Sequence, residues 1–326
     1  MKKIVGIIAN PESGRDIRRL VSQASVFDNM EKVSIVRRLL TTVEKFGIRD
    51  FLVMPDTFGI VKTALNTLED PSKFNVEFLS MKINGDWKDT YEAAKLMRGR
   101  VGALIVIGGD GTNRVVAKAC NDTPIMPIST GTNNVFPYMI EATIAGEAVA
   151  AVVSGVVGKD ECGFKAKRLE VLKDDSLLDI ALVDIAVTTH SFVGSKAVWK
   201  PEYIKELIVT TCNSYNIGLS SIGGSIKEID EEEDEGLYVK LGSKDFIRAP
   251  IAPGMVREVG IDEFKVLKIG EKVKIETIPS LLAFDGEREL MVKNQIFVKL
   301  SRSGPIVIDY KKTLKIASKR GFLKIK

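Results

Sequence analysis

The sequence predicts an α/β domain built on a doubly wound, mostly parallel sheet, followed by an antiparallel all-β domain. Three observations carry this prediction. Residues 1–130 alternate short apolar runs with amphipathic helical runs, the pattern of βαβ units. Beyond residue 160 the segments become short, often alternating, and separated by turn residues, as in antiparallel sheets. The length of 326 residues accommodates two domains, at roughly 100–200 residues each.

The elements follow in order. Ile4–Ala9 is a continuous apolar run suited to a buried strand. Residues 31–46 set Val33, Val36, Leu39, Leu40 and Val43 on one helical face. Further strands are predicted at 51–54, 76–79, 101–107 and 125–128, and helices at 57–68, 88–97 and 113–119. Right-handed crossovers make this an open sheet whose ligands sit beyond the carboxyl ends of its strands. An Ala- and Val-rich helix over 143–157 is placed at the head of the second domain. Strands are then expected at 168–172, 179–187, 237–241, 265–269, 272–277, 281–284, 289–292 and 295–300, interrupted by one helix over 202–211. A strand at 306–310 and a basic helix at 311–320 close the chain. The expected division is 1–142, 143–304 and a C-terminal segment, 305–326.

Composition excludes several classes of function. The net charge of +4 is small, and no dense basic stripe interleaved with aromatics marks a nucleic-acid partner. Cys120, Cys162 and Cys212 lie far apart without zinc-ligand spacing, which points to a reduced, cytoplasmic setting. The N-terminal apolar run is too short for a signal peptide and ends at Asn10-Pro11. No uncharged apolar stretch reaches the ~18 residues of a membrane span, so stable membrane insertion is not expected. A single histidine, His190, leaves little for histidine-based catalysis. The acidic run 228–235 reads as a solvated loop.

The chemistry concentrates at strand ends. After the apolar run 101–107 come Gly108, Gly109, Asp110, Gly111, Thr112 and Asn113, with a helix opening at once. Glycines allow close backbone approach and positive φ. Amides at a helix start favour phosphate oxygens. A carboxylate at Asp110 makes sense if it handles a hydroxyl proton or helps hold magnesium. After the next strand comes Ser129-Thr130-Gly131-Thr132-Asn133-Asn134, again rich in glycine and hydroxyls. A third element, Asn10 to Arg15, follows the first strand, and Arg15 is a candidate phosphate contact. A fourth, Asp285-Gly286-Glu287, reads equally as a hairpin turn and as a group reaching the site from the second domain.

These four elements, in this order, resemble those of the superfamily of NAD kinases and diacylglycerol-type lipid kinases. Within it, Phe192–Trp199 and Ile217–Gly224 are similar to the ATP-NAD kinase-like branch that includes the acetoin-catabolism X proteins. The resemblance implies a Rossmann-like, phosphofructokinase-like first domain, a β-sandwich second domain and a cleft between them. It implies a C-terminal segment that returns to the first domain, and a homo-oligomer. It implies that Asn10, Gly108, Gly109, Gly111, Thr112, Asn113, Gly131, Thr132, Asn133 and Asn134 bind nucleotide or phosphate, and that Asp110 activates the acceptor hydroxyl. ATP, Mg²⁺ and NAD follow as ligands, with Asp184, Asp285 and Glu287 as acceptor-binding candidates. Val183 stands where NAD kinases carry the asparagine of a dinucleotide-contacting Asn-Glu pair. A lipid or another small hydroxyl compound is therefore the alternative acceptor, and a non-catalytic NAD or ATP sensor the third reading.

Overall fold

The computed structural model describes residues 3–14, 27–131, 133–189 and 201–325. The first domain runs β1 (Ile4–Ala9), α1 (Asn29–Lys45), β2 (Asp50–Val53), α2 (Ile60–Asn66), β3 (Asn75–Phe78), α3 (Trp87–Met97), β4 (Ala103–Ile107), α4 (Asp110–Ala117), β5 (Ile125–Ile128), α5 (Ala142–Val153) and β6 (Gly163–Lys165). The second runs β7 (Arg168–Lys173), β8 (Ser176–Ala181), β9 (Asp184–Thr188), β10 (Ile204–Val209), α6 (Ser220–Gly224), β11 (Glu235–Ala252), β12 (Met255–Lys268), β13 (Lys272–Lys274), β14 (Ser280–Phe284), β15 (Glu287–Val292) and β16 (Phe297–Ser301). The chain then returns through β17 (Ile306–Ile308) and α7 (Tyr310–Lys319).

The first domain is one sheet in the order β3-β2-β1-β4-β5-β17-β6. β1 to β5 and β17 are parallel, and β6 closes the edge antiparallel to β17. The fully buried strand β4 explains the unbroken apolar run that precedes the glycines. Helices α1, α2, α5 and α7 cover one face around Leu39, Leu40, Val149 and Ala317. Helices α3 and α4 cover the other around Ala93, Met97 and Val116. Winding reverses between β1 and β4, so the crevice beyond these two strand ends is the ligand position of such sheets.

The second domain is a β-sandwich. A six-stranded sheet, β12-β11-β10-β9-β14-β15, faces a four-stranded one, β13-β16-β7-β8. Leu169, Val171 and Val298 from the smaller sheet pack on Ile185, Ile208 and Phe284 from the larger. The fold anticipated from the sequence, an α/β domain followed by a β-sandwich, is the fold observed. No described helix is long and apolar enough to cross a membrane.

The details depart from expectation at four places. The helix expected over 202–211 is strand β10, central in the larger sheet between β9 and β11. A short apolar run fits either state, and pairing on both edges decides it. The single strand expected over 179–187 divides into β8 and β9, which lie in different sheets. α5 packs against α1 within the first domain rather than heading the second, so the first domain extends through β6. The acidic run is not merely solvated: the Lys167 ammonium donates to Asp230 O at 2.7 Å and Glu235 O at 2.9 Å, and Arg302 binds Asp234 at 2.5 Å.

Candidate functional site

Three strand-end loops meet at the crevice. Asn10, just past β1, donates from Nδ2 to Thr112 Oγ1 at 2.9 Å, and its backbone N–H reaches Ile107 O at 3.1 Å. Gly14, at φ +76°, packs so closely on Thr130 O that a Cβ would stand 2.8 Å from it. This is the one glycine of the site where both positive φ and close approach forbid a side chain. Lys32, buried on α1, ties the first loop down by donating to Asn10 O at 2.8 Å and Ser13 O at 2.7 Å.

The second and third loops lock together through Asp110 and Asn134. The Asp110 carboxylate accepts the amide hydrogens of Val135 at 3.1 Å and Phe136 at 2.9 Å. Asn134 Oδ1 accepts from the amide of Asp110 at 3.3 Å, and its Nδ2 donates to Ser129 Oγ at 2.8 Å. Asn113 Nδ2 donates back to Gly109 O at 2.9 Å. Among the described residues, Asn113 Oδ1 and Thr130 Oγ1 are buried polar atoms with no hydrogen-bond partner. Buried polar atoms of native proteins are nearly always paired, so each of these calls for a bonding partner.

The glycines 108, 109 and 111 do not work through backbone conformation, since none has φ in the left-handed region. Gly108 is needed because a Cβ would strike Thr112 at 2.5 Å, and Gly109 because it would strike Asn134 at 2.7 Å. A Cβ at Gly111 would meet nothing within 4 Å, so this residue faces open space. Gly131 accepts the Ser129 hydroxyl hydrogen at 2.7 Å through its carbonyl. Asn133 is half-buried beside Asn134. Thr132, Arg15, His190 and Phe192–Trp199 lie outside the described residues.

The acceptor-side candidates sit differently. Asp285 occupies the β14–β15 turn at φ +49°, followed by Gly286 at +87°, so the hairpin reading holds for the backbone. Its side chain is nevertheless buried. The carboxylate accepts from Leu182 N at 3.1 Å, Val183 N at 2.8 Å and Asp184 N at 3.1 Å. Burial pushes the Asp285 carboxyl up from its ordinary value, while Arg114 and the three amides pull it down. Asp285 therefore fixes the turn where the chain leaves β8 for β9. Asp184 is also buried, with its backbone O accepting from Asp285 N at 3.0 Å. Glu287 begins β15, and its side chain lies outside the described residues.

Two residues not singled out by sequence organise this site: Lys32 and Arg114. Lys32 shares the helical face of Asn29 and Val36, so periodicity alone marks it as buried. Arg114 interrupts the apolar inner face of α4, only 1% exposed. A charged residue on such a face signals a buried partner.

The chain is thus a parallel α/β domain, with a glycine-rich loop at its switch point, joined to a β-sandwich. A model of the ATP-NAD kinase N-terminal domain matches residues 5–157. A model of the acetoin catabolism protein X C-terminal domain matches residues 167–303. The acetoin catabolism protein X of Cupriavidus necator is 36% identical over 301 residues, spanning 88% of this chain and 84% of that protein. The chain belongs to the acetoin catabolism protein X family. Among solved structures, yeast NADH kinase complexed with NADH aligns over 100% of this chain and 89% of its own, at 14% identity and a TM-score of 0.54. A diacylglycerol kinase from Bacillus anthracis aligns over 94% of this chain and 96% of its own, at 11% identity and a TM-score of 0.45.

Proposed function

We propose that this protein transfers the γ-phosphoryl group of ATP to an alcohol, with a hydroxyl of NAD as the acceptor and NADP as the product. One observation carries the reading: Asp110 stands where three strand-end loops meet, its carboxylate oriented by the Val135 and Phe136 amides. In this reading the carboxylate is the group that accepts the hydroxyl proton. In the transfer the acceptor oxygen bonds to the γ-phosphorus, the bond to the ADP oxygen breaks, and the hydroxyl proton passes to Asp110.

Gly109, Gly111 and Thr112 supply N–H groups to phosphate oxygens, and Gly111 leaves room for them. Gly108, whose own N–H donates to Ile128 O at 3.0 Å, lets the loop close on Thr112. Asn10 and Thr112, already bonded, border the same crevice. Gly131, Thr132, Asn133 and Asn134 supply its other wall. Magnesium belongs to the nucleotide complex that enters. Asp110 and the amide oxygens near it are hard oxygen donors, which suit that ion alongside phosphate oxygens and water. Among the described residues no cluster of three or more His, Cys, Asp or Glu builds an all-protein cage. Catalysis then rests on positioning and charge neutralisation. The unpaired cysteines suit a reduced, cytoplasmic setting for the reaction, and the resemblance suggests a homo-oligomer.

One observation favours a second acceptor. Val183 is buried, and the amides of 182–184 are taken by Asp285, so this turn offers no carboxamide to a dinucleotide. A lipid or other small hydroxyl compound is the alternative. Labelled ATP incubated with NAD, NADH, diacylglycerol and small polyols separates the readings. Labelled NADP supports the first and another labelled product the second. Nucleotide binding with no labelled product overturns phosphotransfer and leaves a sensor.

A further inference from the structure

We propose that Arg114 is a positioning residue: it clamps the sandwich to the phosphate-loop helix and thereby sets the acceptor-side turn 182–184 opposite Asp110. The geometry is specific. Arg114 lies one helical turn after Asp110 on α4, a first-domain helix, yet its guanidinium is spent on the second domain. Nε donates to Ile180 O at 2.6 Å, Nη2 binds Asp179 Oδ2 at 2.7 Å, and the cation lies 4.5 Å from the centre of the Phe284 ring. One turn further on, Lys118, which caps the C-terminus of α4, binds the other oxygen of Asp179 at 2.6 Å. Two cations on one helix thus grip one carboxylate at the edge strand β8.

The contacts continue to the turn. Ile180 and Phe284 flank the 182–184 segment, which Asp285 fixes through three amides. Arg114 is the leading charge that favours ionised Asp285. A buried cation between one buried carboxylate, Asp285, and one partly exposed, Asp179, tolerates little displacement, because a charge left alone in the interior is costly. Among the described residues, the chain itself crosses between the domains at residues 166–167 and 302–305, the segments between β6 and β7 and between β16 and β17. Arg114, with Lys118 beside it, therefore converts two covalent links into a fixed cleft.

The kinetic part of this proposal rests on the phosphotransfer reading; the geometric part does not. Spin labels at Lys45→Cys and Lys274→Cys, one on each domain, report the interdomain distance by pulsed electron resonance. The native thiols are buried. The unmutated clamp gives one narrow distribution. Arg114→Met and Asp179→Asn broaden it, and Arg114→Lys, which keeps the charge but loses the fork, falls between. A folded Arg114→Met protein with an unchanged distribution overturns the clamp. Should that variant not fold, Asp179→Asn and Lys118→Met, at the rim of the network, decide the same comparison. With labelled ATP and NAD, Arg114→Lys lowers kcat by up to about 10²-fold while ATP affinity is unchanged. Lost ATP affinity with kcat retained overturns the positioning role. If the unmutated protein transfers no phosphate, phosphotransfer fails, and the distance measurement still settles the clamp.

Discussion

Asn134 Oδ1 accepts the amide hydrogen of Asp110 at 3.3 Å and lies 2.7 Å from the point a Cβ on residue 109 would occupy. The side chain of one strand-end loop fills the space a glycine leaves in the other. Gly109→Ala therefore drives Asn134 off Asp110 and loosens both loops. Gly111 differs, because a Cβ there meets nothing. Alanine at this helical position favours α4 by up to ~1 kcal/mol. Gly109→Ala is expected to lower both the melting temperature and ATP affinity. Gly111→Ala is expected to hold or raise the melting temperature while weakening ATP. Calorimetric melting with ATP titration checks both. Unchanged ATP binding in Gly111→Ala removes the phosphate from this face.

Asp110→Asn tests the proton acceptor. The substitution keeps shape but gives up the charge, and a loss of ~10²–10⁴-fold in kcat is expected for a general base. Because the Val135 and Phe136 amides also bond this side chain, ATP affinity and melting temperature must be measured beside the rate. A lost rate with both retained assigns the base. A fully active Asn variant removes Asp110 from the chemistry.

The first domain was legible in the sequence because its signals are local. Ile4–Ala9 and the apolar run before Gly108 are strands buried on both faces, and periodicity placed Val33, Val36 and Leu40 on the inner face of α1. The glycines stand at the end of β4 as expected, but space beside Thr112 and Asn134, not positive φ, requires Gly108 and Gly109. The second domain was less legible because its determinants are non-local. Ile204–Val209 reads as a helix until β9 and β11 pair with it. The break between β8 and β9 is made by Asp285, about a hundred residues away in sequence. Arg114 shows the same limit: its partners Asp179 and Ile180 lie in the other domain.

The C-terminal helix gives a pH test. Arg320 binds Glu161, and α7 packs on the first domain with Phe322 stacked on Phe46 at 4.7 Å. The hydrogen bond from Arg320, with the Gly158 amide next, holds the Glu161 carboxyl down at about 2. A folded-state value below the unfolded one means the contribution is present above the unfolded pKa of 4.5 and is lost as pH falls toward about 2. Glu161→Gln should therefore melt below the unmutated protein at neutral pH, with the difference closing between pH 4.5 and about 2. Melting curves across that range check this. A difference independent of pH assigns the effect to packing rather than charge.

Asp285 supplies the sharpest stability test. Its carboxylate is the common acceptor for three successive amides and a neighbour of buried Arg114. Asp285→Ala leaves those N–H groups without an acceptor and the guanidinium with one less negative neighbour. Each orphaned buried donor costs about 1–3 kcal/mol, and breaking a buried charge pair from one side costs about 3–5 kcal/mol. The costs overlap, since one carboxylate serves all of them, so a loss of about 3–5 kcal/mol is expected. Asp285→Asn keeps the shape and one carbonyl oxygen, and asparagine tolerates the positive φ, so it should lose less. Hydrogen exchange at the amides of Leu182, Val183 and Asp184 localises the effect, because these donors open first when their acceptor is removed. If the three amides stay as protected in Asp285→Ala as in the unmutated protein, the turn is held by its own strands, and Asp285 is available to an acceptor after all.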